Sequence, residues 1–421
     1  MFEIDNTEEI DYQLSISVIF FFIIQSANSS IKTLFPDLGD GINAALSGLS
    51  GILILVLLIR SMKIVTKLHT WLAVRSYLLF LVVYFISIFQ NILRGAPLSV
   101  LISESMLWTL VWWLPMGLIA YSVNDKHILY RTIVKWSYLL SVVTLFSFIA
   151  YVQNIIQVNV EMLNRGNYNM FFSYMLVFTL IIHLNELIDQ KRKRVIPWCL
   201  VELVAILSYG SRGAILCLVS YLLLKFLMGG LRSSQKLRVL SFVSFLGIAV
   251  FLWGGSIVED MDDIGMTSRT LEMVSGGDVA VSDGRDDLRK YTLELIAERP
   301  LLGYGLGGEF YELYQKAYGP AIDGDFSSLT PHNGFLQLFL NFGVLMGSLI
   351  GLAILYTIIL ICRVRDYDTK TILIILASVF VVPSLTVGDG IFTKPGIALY
   401  LFVFMHWYHN LCKSDINTIE T

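Results

Sequence analysis

The chain has 421 residues, of which 56% are hydrophobic and 15% charged, with a mean hydropathy of +0.69 and a formal net charge of −3. Soluble domains carry roughly a quarter charged residues, so this composition excludes a water-soluble fold of this size. The lack of a cationic surplus also argues against nucleic-acid binding, because neutralising phosphates requires a cationic surface.

Apolar runs of membrane-spanning length recur along the whole chain. A helix needs about 20 apolar residues to cross the hydrocarbon core. On this criterion we expect twelve spans, at 13–29, 42–60, 71–92, 99–121, 130–152, 169–188, 195–210, 212–230, 237–256, 333–362, 371–387 and 396–412. The first run is expected to be a retained helix, because its acidic flank is unlike the basic start of a secretory signal. The predicted fold class is therefore all-α, a polytopic transmembrane helix bundle of about 12 spans.

The distribution of Lys and Arg among the connections predicts the orientation, since cationic loops are retained in the cytoplasm. The cationic connections alternate along the chain and contain Arg60, Lys63 and Lys67, then Lys126 and Arg131, then 191–194, then Arg232, Lys236 and Arg238, then Arg363, Arg365 and Lys370. The intervening short connections each carry one cation, namely Lys32, Arg94, Arg165, Arg212 or Lys394. Both termini are therefore expected in the cytoplasm.

One connection is much longer than the others and divides the chain into three parts. Residues 1–256 contain helices one to nine, 257–331 form a large loop on the periplasmic or extracellular face, and 332–421 contain the last three helices. The loop carries fifteen acidic and six basic residues. Loops of this length in a compact protein are usually functional or disordered.

A short amphipathic helix is predicted inside this loop, starting at residue 282 and ending before Pro300. Leu288, Tyr291, Leu295 and Ile296 are expected on one side, and Arg285, Arg289 and Thr292 on the other. The glycine-rich segment 303–308 follows and is interpreted as a flexible turn, because no strand precedes it as in a phosphate-binding loop.

Four cationic groups are expected at the same outer face: Arg165, Arg212, Arg285 and His332. Guanidinium groups bind phosphate oxygens bidentately, so two or three arginines around one pocket indicate a diphosphate. Histidine accepts a proton near neutral pH and so is the candidate base. The alternative for each is structural: Arg212 snorkels, His332 caps the helix that starts at Asn333, and Arg285 pairs with Asp286 or Asp287.

Weaker signals surround this group. Asp389 lies in the last outer connection, where it joins the site or pairs with Lys394. The segment 260–262 has the DxD pattern of metal-dependent transferases, but no nucleotide-binding domain accompanies it and a solvated loop is the better interpretation. We see no metal-ligand cluster and expect neither a metal nor a cofactor.

Three segments together resemble the O-antigen ligase and O-antigen polymerase superfamily (the WaaL and Wzy types). They are Ser211-Arg212-Gly213, the sequence ERPLLGYGLGGEF at 298–310, and PHNGFLQLFLNFGVLMG at 331–347. The resemblance covers roughly residues 160–350 by motif, and the whole chain by topology. It implies a GT-C-like membrane protein of the bacterial inner membrane with its active site on the periplasmic side.

The resemblance also implies an activity: metal-independent, inverting transfer of a glycan from undecaprenyl diphosphate to an acceptor hydroxyl. Arg212 and Arg285 would bind the diphosphate and His332 would act as the base, with Arg165, Arg289, Asn333 and Asp389 as substrate-binding residues. Asn167-Tyr168-Asn169 departs from the more usual Asn-Pro-Asn-like turn, which puts the role of that segment in doubt.

The acceptor remains open at this point. A lipid-linked repeat unit would make the protein a polymerase, lipid A-core a ligase, and a protein hydroxyl an oligosaccharyltransferase. We favour the polymerase, which would work beside a chain-length regulator and a flippase in contact with membrane lipid. The alternative of another class is a transporter or flippase for an anionic lipid-linked glycan, which would be expected to place charged residues near the bilayer midplane.

Overall fold

The computed structural model describes residues 7–34, 40–93, 109–157, 170–209, 212–244, 285–306, 308–319 and 331–381. Throughout these ranges the regular structure is helical, without a strand, as the sequence predicts. The helices are α1 Thr7–Leu34, α2 Asp40–Ile92, α3 Leu114–Ser122, α4 Lys126–Gln157, α5 Met170–Gln190, α6 Ile196–Tyr209, α7 Arg212–Met228, α8 233–244, α9 Arg285–Glu298, α10 Gly308–Tyr318, α11 Gly334–Leu360 and α12 Tyr367–Leu376.

Six segments in the described part of the chain are long and apolar enough to cross a membrane. They are Thr7–Lys32, Gly41–Trp71, Ala73–Ile92, Lys126–Ile149, Phe172–Gln190 and Gly334–Arg363. Each coincides with a predicted span, and the shorter apolar helices Leu110–Ser122 and Gly213–Met228 coincide with two more. The predicted span 396–412 lies outside the described residues.

The second and third predicted spans lie in α2, which consists of two helices that meet at a kink. Its only non-helical residue is His69, at φ −138° and ψ 47°, which bends the helix between the two apolar halves. The predicted connection with Arg60, Lys63 and Lys67 is therefore helical. The two predicted spans correspond to two apolar helices, Gly41–Trp71 and Ala73–Ile92, and the break between them is shorter than expected.

The chain divides into two compact units. The first comprises Met1–Leu57, Asp125–Ala280 and Asp366–Val379, and the second comprises Leu58–Asn124, Val281–Arg365 and Phe380–Thr421.

In the first unit α1 packs along α4. There Ser30 donates to the carbonyl oxygen of Val143 at 2.8 Å and contacts the hydroxyl of Ser147. Small polar residues at such a contact let two apolar helices approach closely.

In the second unit α11 reverses direction at Gly343, which has φ 75° and ψ 168°. A Cβ placed on Gly347 would lie 2.8 Å from the carbonyl oxygen of Leu338, and one on Gly351 would lie 3.2 Å from the ring of Phe335. In a straight helix residues 335 and 351 would be about 24 Å apart, at about 1.5 Å per residue. Residues 334–342 and 344–360 are therefore the two antiparallel arms of a helical hairpin.

This hairpin corrects the predicted straight span 333–362. Only residues 344–363 continue in one direction, and at about 1.5 Å per residue they cover about 30 Å, the thickness of the hydrocarbon core. The backbone of Gly343 lies in a region that is essentially restricted to glycine. A Cβ there would also overlap the carbonyl group of Leu301. Apolar composition alone could not reveal the reversal, since both arms are apolar.

The segment after α9 covers the turn of the hairpin and hydrogen-bonds the backbone groups that the reversal leaves open. Tyr304 N–H donates to the Leu340 carbonyl at 2.7 Å and Gly305 N–H to the Asn341 carbonyl at 2.8 Å. Val344 N–H donates in turn to the carbonyl oxygen of Pro300 at 2.7 Å. The last carbonyls of one arm and the first N–H of the other are thus satisfied by one loop, residues 299–306.

Candidate functional site

The loop helix predicted from the sequence is α9, and its apolar side is buried as expected. The cluster it joins consists of Leu295, Ile296, Tyr304, Leu313 and Leu340, with Leu288, Tyr291, Tyr314, Leu336 and Phe339 packed around them. Since Leu336, Phe339 and Leu340 belong to the first arm of the hairpin, α9 is held against the element that follows His332. Through Tyr304 and Leu340, the cluster joins the segments 298–310 and 331–347 within one unit.

The polar side of α9 is confirmed only in part. Arg289 is exposed, as the predicted face requires. Thr292, expected on the same face, is fully buried. Its hydroxyl donates to the Leu288 carbonyl at 2.6 Å, so the hydroxyl is satisfied by the helix itself and can be buried beside the cluster.

An ionic contact joins the end of α9 to α10. Lys316 Nζ lies 2.7 Å from Glu298 Oε1 and 3.3 Å from Glu294 Oε2. The hydrogen bond from Lys316 lowers the pKa of Glu298 below its ordinary 4.5 and raises the pKa of Lys316. Burial raises the pKa of Tyr304 to about 12, so its hydroxyl stays protonated and donates to Glu298 at 3.2 Å.

The loop that covers the hairpin is a fixed turn. Gly303 and Gly305 have φ of 61° and 78°, and a Cβ on Gly303 would lie 2.6 Å from the backbone of Asn341. From another side the fully buried Asn91 of α2 donates to the Leu306 carbonyl at 3.3 Å. The interpretation of this segment as a flexible turn is therefore wrong: its glycines permit close contact with α11.

His332 lies directly before this assembly and has a strained backbone. Its φ is 49°, and Lys191 is the one other non-glycine residue with positive φ in the described part of the chain. The left-handed conformation costs an L residue roughly 1–2 kcal/mol, and such strain is concentrated at functional sites. His332 is half-buried.

Asn333, rather than His332, caps α11. Its side-chain oxygen accepts the N–H of Leu336 at 3.1 Å, and its carbonyl accepts the N–H of Gln337 at 2.9 Å. The capping function considered for His332 thus belongs to its neighbour. The imidazole of His332 is not needed to start the helix.

Arg212 begins α7 in the first unit. The next residue, Gly213, faces α5, and a Cβ there would overlap the hydroxyl of Tyr174. Glycine after Arg212 therefore lets α5 and α7 approach closely at the start of α7. Arg285 begins α9 in the second unit. The same unit contains Arg289, His332 and Asn333. Arg165, Asp389 and the DxD segment 260–262 lie outside the described residues.

Sequence reasoning missed a buried polar cluster between helices of the first unit. Nδ1 of His183 in α5 lies 3.0 Å from Oε2 of Glu202 in α6, and both side chains are fully buried. Ser137 and Ser141 of α4 complete the cluster: Ser137 contacts His183 Nε2 at 3.2 Å and Ser141 donates to Glu202 at 2.6 Å. The signal in the sequence for such a cluster is the presence of ionisable residues within apolar helices.

A second buried group involves Lys225 of α7. Its ammonium donates to Asp189 and to the hydroxyl of Tyr367, each at 2.9 Å. Gln235 of α8 donates to the same carboxylate at 3.2 Å. The ammonium and the carboxylate are paired with each other, as buried charges must be.

A match to a known family covers α7, α9 and the turn at His332. Residues 197–350 match the sequence model of a family described as O-antigen ligase. The match begins in α6 and extends through Arg212, α9, α10 and His332 into the second arm of the hairpin. This similarity supports the resemblance to the O-antigen ligase and polymerase superfamily that the sequence segments indicated. A search of curated proteins gave no match.

The family match and the apolar helices indicate a membrane protein. They support an activity of the membrane glycosyltransferase type, with lipid-linked glycans as the general class of substrate. The matched range contains Arg212, Arg285, Arg289, His332 and Asn333, whereas Arg165 and Asp389 lie outside it.

Proposed function

We propose that the protein is an inverting membrane glycosyltransferase that polymerises repeat units of a surface polysaccharide from an undecaprenyl-diphosphate-linked donor. The single observation that carries this proposal is the placement of His332. It has a left-handed backbone at the entrance of the hairpin, directly before the residue that caps α11, within the segment that matches the O-antigen ligase family. Backbone strain of this kind is concentrated at functional sites.

In the proposed reaction the acceptor hydroxyl attacks the anomeric carbon of the donor. The new bond from the acceptor oxygen to carbon forms as the bond from that carbon to the diphosphate oxygen breaks. His332 accepts the hydroxyl proton, and the polyprenyl diphosphate leaves with the bonding electron pair. Attack from the face opposite the leaving group inverts the configuration.

The arginines would stabilise the charge that develops on the leaving diphosphate. Arg212 and Arg285 are assigned this function, because a guanidinium group binds phosphate oxygens bidentately and remains charged. Arg289, Asn333, Arg165 and Asp389 are assigned to substrate binding. No step assigned to these residues requires a metal or a cofactor.

The polymerase is favoured over the ligase by analogy with the more divergent branch of the superfamily. Transfer to lipid A-core or to a protein hydroxyl would use the same donor chemistry and differ only in the acceptor. A chain-length regulator and a flippase are the partners that a polymerase requires. Genomic neighbours would separate the two: genes for such partners indicate a polymerase, whereas core-sugar transferases indicate a ligase.

The proposed setting is the bacterial inner membrane, with about twelve spans, a GT-C-like arrangement, both termini in the cytoplasm and the 257–331 loop in the periplasm. The alternating cationic connections support this orientation. Reporter fusions within the loop should be active only on the periplasmic side. Cytoplasmic reporter activity there would contradict the proposed topology.

A transporter for an anionic glycan lipid is the alternative, and the broken helix α11 and the buried charges of the first unit bear on it. Transporters use the open backbone groups of broken helices to bind ions and substrates. Here the backbone groups at the break are hydrogen-bonded to Tyr304, Gly305 and Pro300. Lys225 is paired with Asp189, and His183 with Glu202. These contacts favour the enzyme.

The proposal is tested in cells by the length distribution of the surface glycan. Arg212→Ala, Arg285→Ala and His332→Ala should each abolish lengthening while the protein remains in the membrane at normal abundance. Lys191→Ala, at the other strained position, is the matched control and should lengthen glycans normally. Normal chain-length ladders in two of the three site variants would overturn the site assignment.

A further inference from the structure

The contact between the two arms of the hairpin depends on two glycines of the second arm. Gly347 faces the backbone of Leu338, with the carbonyl oxygen 2.8 Å from where a Cβ would lie. Gly351 lies one helical turn further on, and a Cβ there would lie 3.2 Å from Cε1 of Phe335. Glycines four residues apart lie on one face of a helix and allow a neighbouring helix to approach closely.

The first arm joins this contact rigidly to the turn that contains His332. Phe335 lies in the first turn of the arm, three residues after His332. The same turn contains the hydrogen bonds from Leu336 N–H and Gln337 N–H to Asn333. A displacement of Phe335 is therefore transmitted to the backbone at residue 332 over about one helical turn, or about 5 Å.

The opposite end of the hairpin is fixed as well. The loop 299–306 hydrogen-bonds both arms next to Gly343, and the buried Leu340 of the first arm joins the cluster with α9 close to that turn. With the turn held, a wider spacing at Gly351 can only tilt the open end of the first arm. That open end is where His332 lies.

We propose that Gly347 and Gly351 are positioning residues for glycosyl transfer, because they set the spacing of the hairpin arms and thereby the place of His332. This inference rests on the proposed function of His332. It assigns to the glycines an effect on the rate of the chemical step rather than on substrate binding. A catalytic group that is displaced by about 1 Å can lose about 100-fold in rate.

The two glycines have different neighbours, so their variants should behave differently. Gly351→Ala presses on a side chain, the ring of Phe335, which must give way by a few tenths of an ångström. Gly347→Ala presses on the ring of Phe339 and on the carbonyl of Leu338, and the contact with the carbonyl requires a backbone shift. We expect Gly351→Ala to lower kcat about tenfold with KM unchanged, and Gly347→Ala to lower it further.

The distinguishing experiment is rescue by a second substitution. Phe335→Leu removes ring atoms that a Cβ on Gly351 would contact, so Gly351→Ala with Phe335→Leu should recover most of the lost kcat. The same Phe335→Leu should fail to rescue Gly347→Ala, whose nearest neighbours are the carbonyl oxygen of Leu338 and Cδ1 of Phe339. Because a loss of stability from the same overlap would also be relieved by Phe335→Leu, kcat is expressed per folded protein. Phe335→Leu alone serves as the reference for both double variants.

The matched controls are Gly48→Ala and Gly51→Ala in α2, since nothing lies within 4 Å of a Cβ at either position. Both should keep wild-type kcat and KM. The assay uses the full-length protein in nanodiscs with a polyprenyl-diphosphate-linked oligosaccharide. If the wild type turns over but Gly351→Ala has an unchanged kcat, or a changed KM alone, the positioning inference is overturned. If rescue fails while Phe335→Leu alone is active, it is overturned too.

Failure of the proposed function has a different signature. In that case the wild type forms no glycosidic bond, or His332→Ala turns over normally. Either result would remove the basis of the positioning inference and overturn it together with the proposed function. With an active wild type and an inactive His332→Ala, the glycine variants alone decide the inference.

Discussion

The N–H of Val344 donates to the carbonyl oxygen of Pro300 at 2.7 Å, although the two residues are more than forty positions apart in the sequence. This bond ties the segment that follows α9 to the start of the second hairpin arm. With the two bonds from Tyr304 and Gly305 to the first arm, it makes the glycine-rich loop and the hairpin a single structural element. Two of the segments on which the family resemblance rests are thus joined by backbone contacts.

The reversal of α11 predicts that residues 335 and 351 can be cross-linked. In a background without Cys199, Cys217, Cys362 and Cys412, the pair Phe335→Cys and Gly351→Cys should form a disulfide on mild oxidation. The control pair, Phe335→Cys with the exposed Ile359→Cys, lies about 12 Å further along the arm and should not. Equal yields from the two pairs would contradict the antiparallel arrangement. A straight helix would give no cross-link in either.

The left-handed backbone of His332 predicts an order of stability among variants. Glycine adopts this conformation without the cost of a Cβ, so His332→Gly should be more stable than His332→Ala by about 1 kcal/mol in thermal unfolding. Both should be inactive in transfer. Lys191→Gly and Lys191→Ala should differ in stability in the same direction, and both should remain active. An alanine variant at 332 as stable as the glycine variant would show that the turn is unstrained.

How much of this region the sequence could predict depends on the range of the interactions. The helix α9 follows from local periodicity, and Leu288, Tyr291, Leu295 and Ile296 are buried as expected. The hairpin could not be predicted in the same way, because Gly343 lies in an apolar stretch and its partners, Pro300 and Leu301, are remote in sequence. The sequence shows that His183 and Glu202 lie within apolar segments, but only the fold shows that they are paired. Thr292 shows the limit of helical periodicity at the edge of a buried face.

The contact between Glu298 and Lys316 predicts a pH-dependent pairing of α9 with α10. Because the pKa of Glu298 is lowered in the folded state, its contribution is fully present above the ordinary value of 4.5 and is lost as the pH falls through the lowered pKa. Amide hydrogen exchange in 308–318, corrected for intrinsic rates, should therefore increase between pH 5 and about pH 3. Glu298→Gln should remove this dependence, whereas Glu294→Gln should largely keep it. A pH-independent exchange in the wild type would contradict the assignment.

The buried pair in the first unit predicts a non-additive effect on stability. Glu202→Leu leaves His183 without its carboxylate, and a buried polar group that loses its partner costs about 1–3 kcal/mol. The double variant His183→Leu with Glu202→Leu should be more stable than either single variant, because fewer polar groups are left unpaired. Thermal unfolding in detergent measures all four proteins. Additive losses would indicate that the two side chains do not interact.

The most direct test of the proposed function is a reconstituted transfer reaction. The wild-type protein in nanodiscs, supplied only with a polyprenyl-diphosphate-linked repeat unit, should release one polyprenyl diphosphate for each glycosidic bond formed and yield glycans of increasing length. His332→Ala should release none above background, whereas Lys191→Ala should match the wild type. Lengthening by His332→Ala at the wild-type rate, or transport of the intact lipid without bond formation by the wild type, would contradict the account.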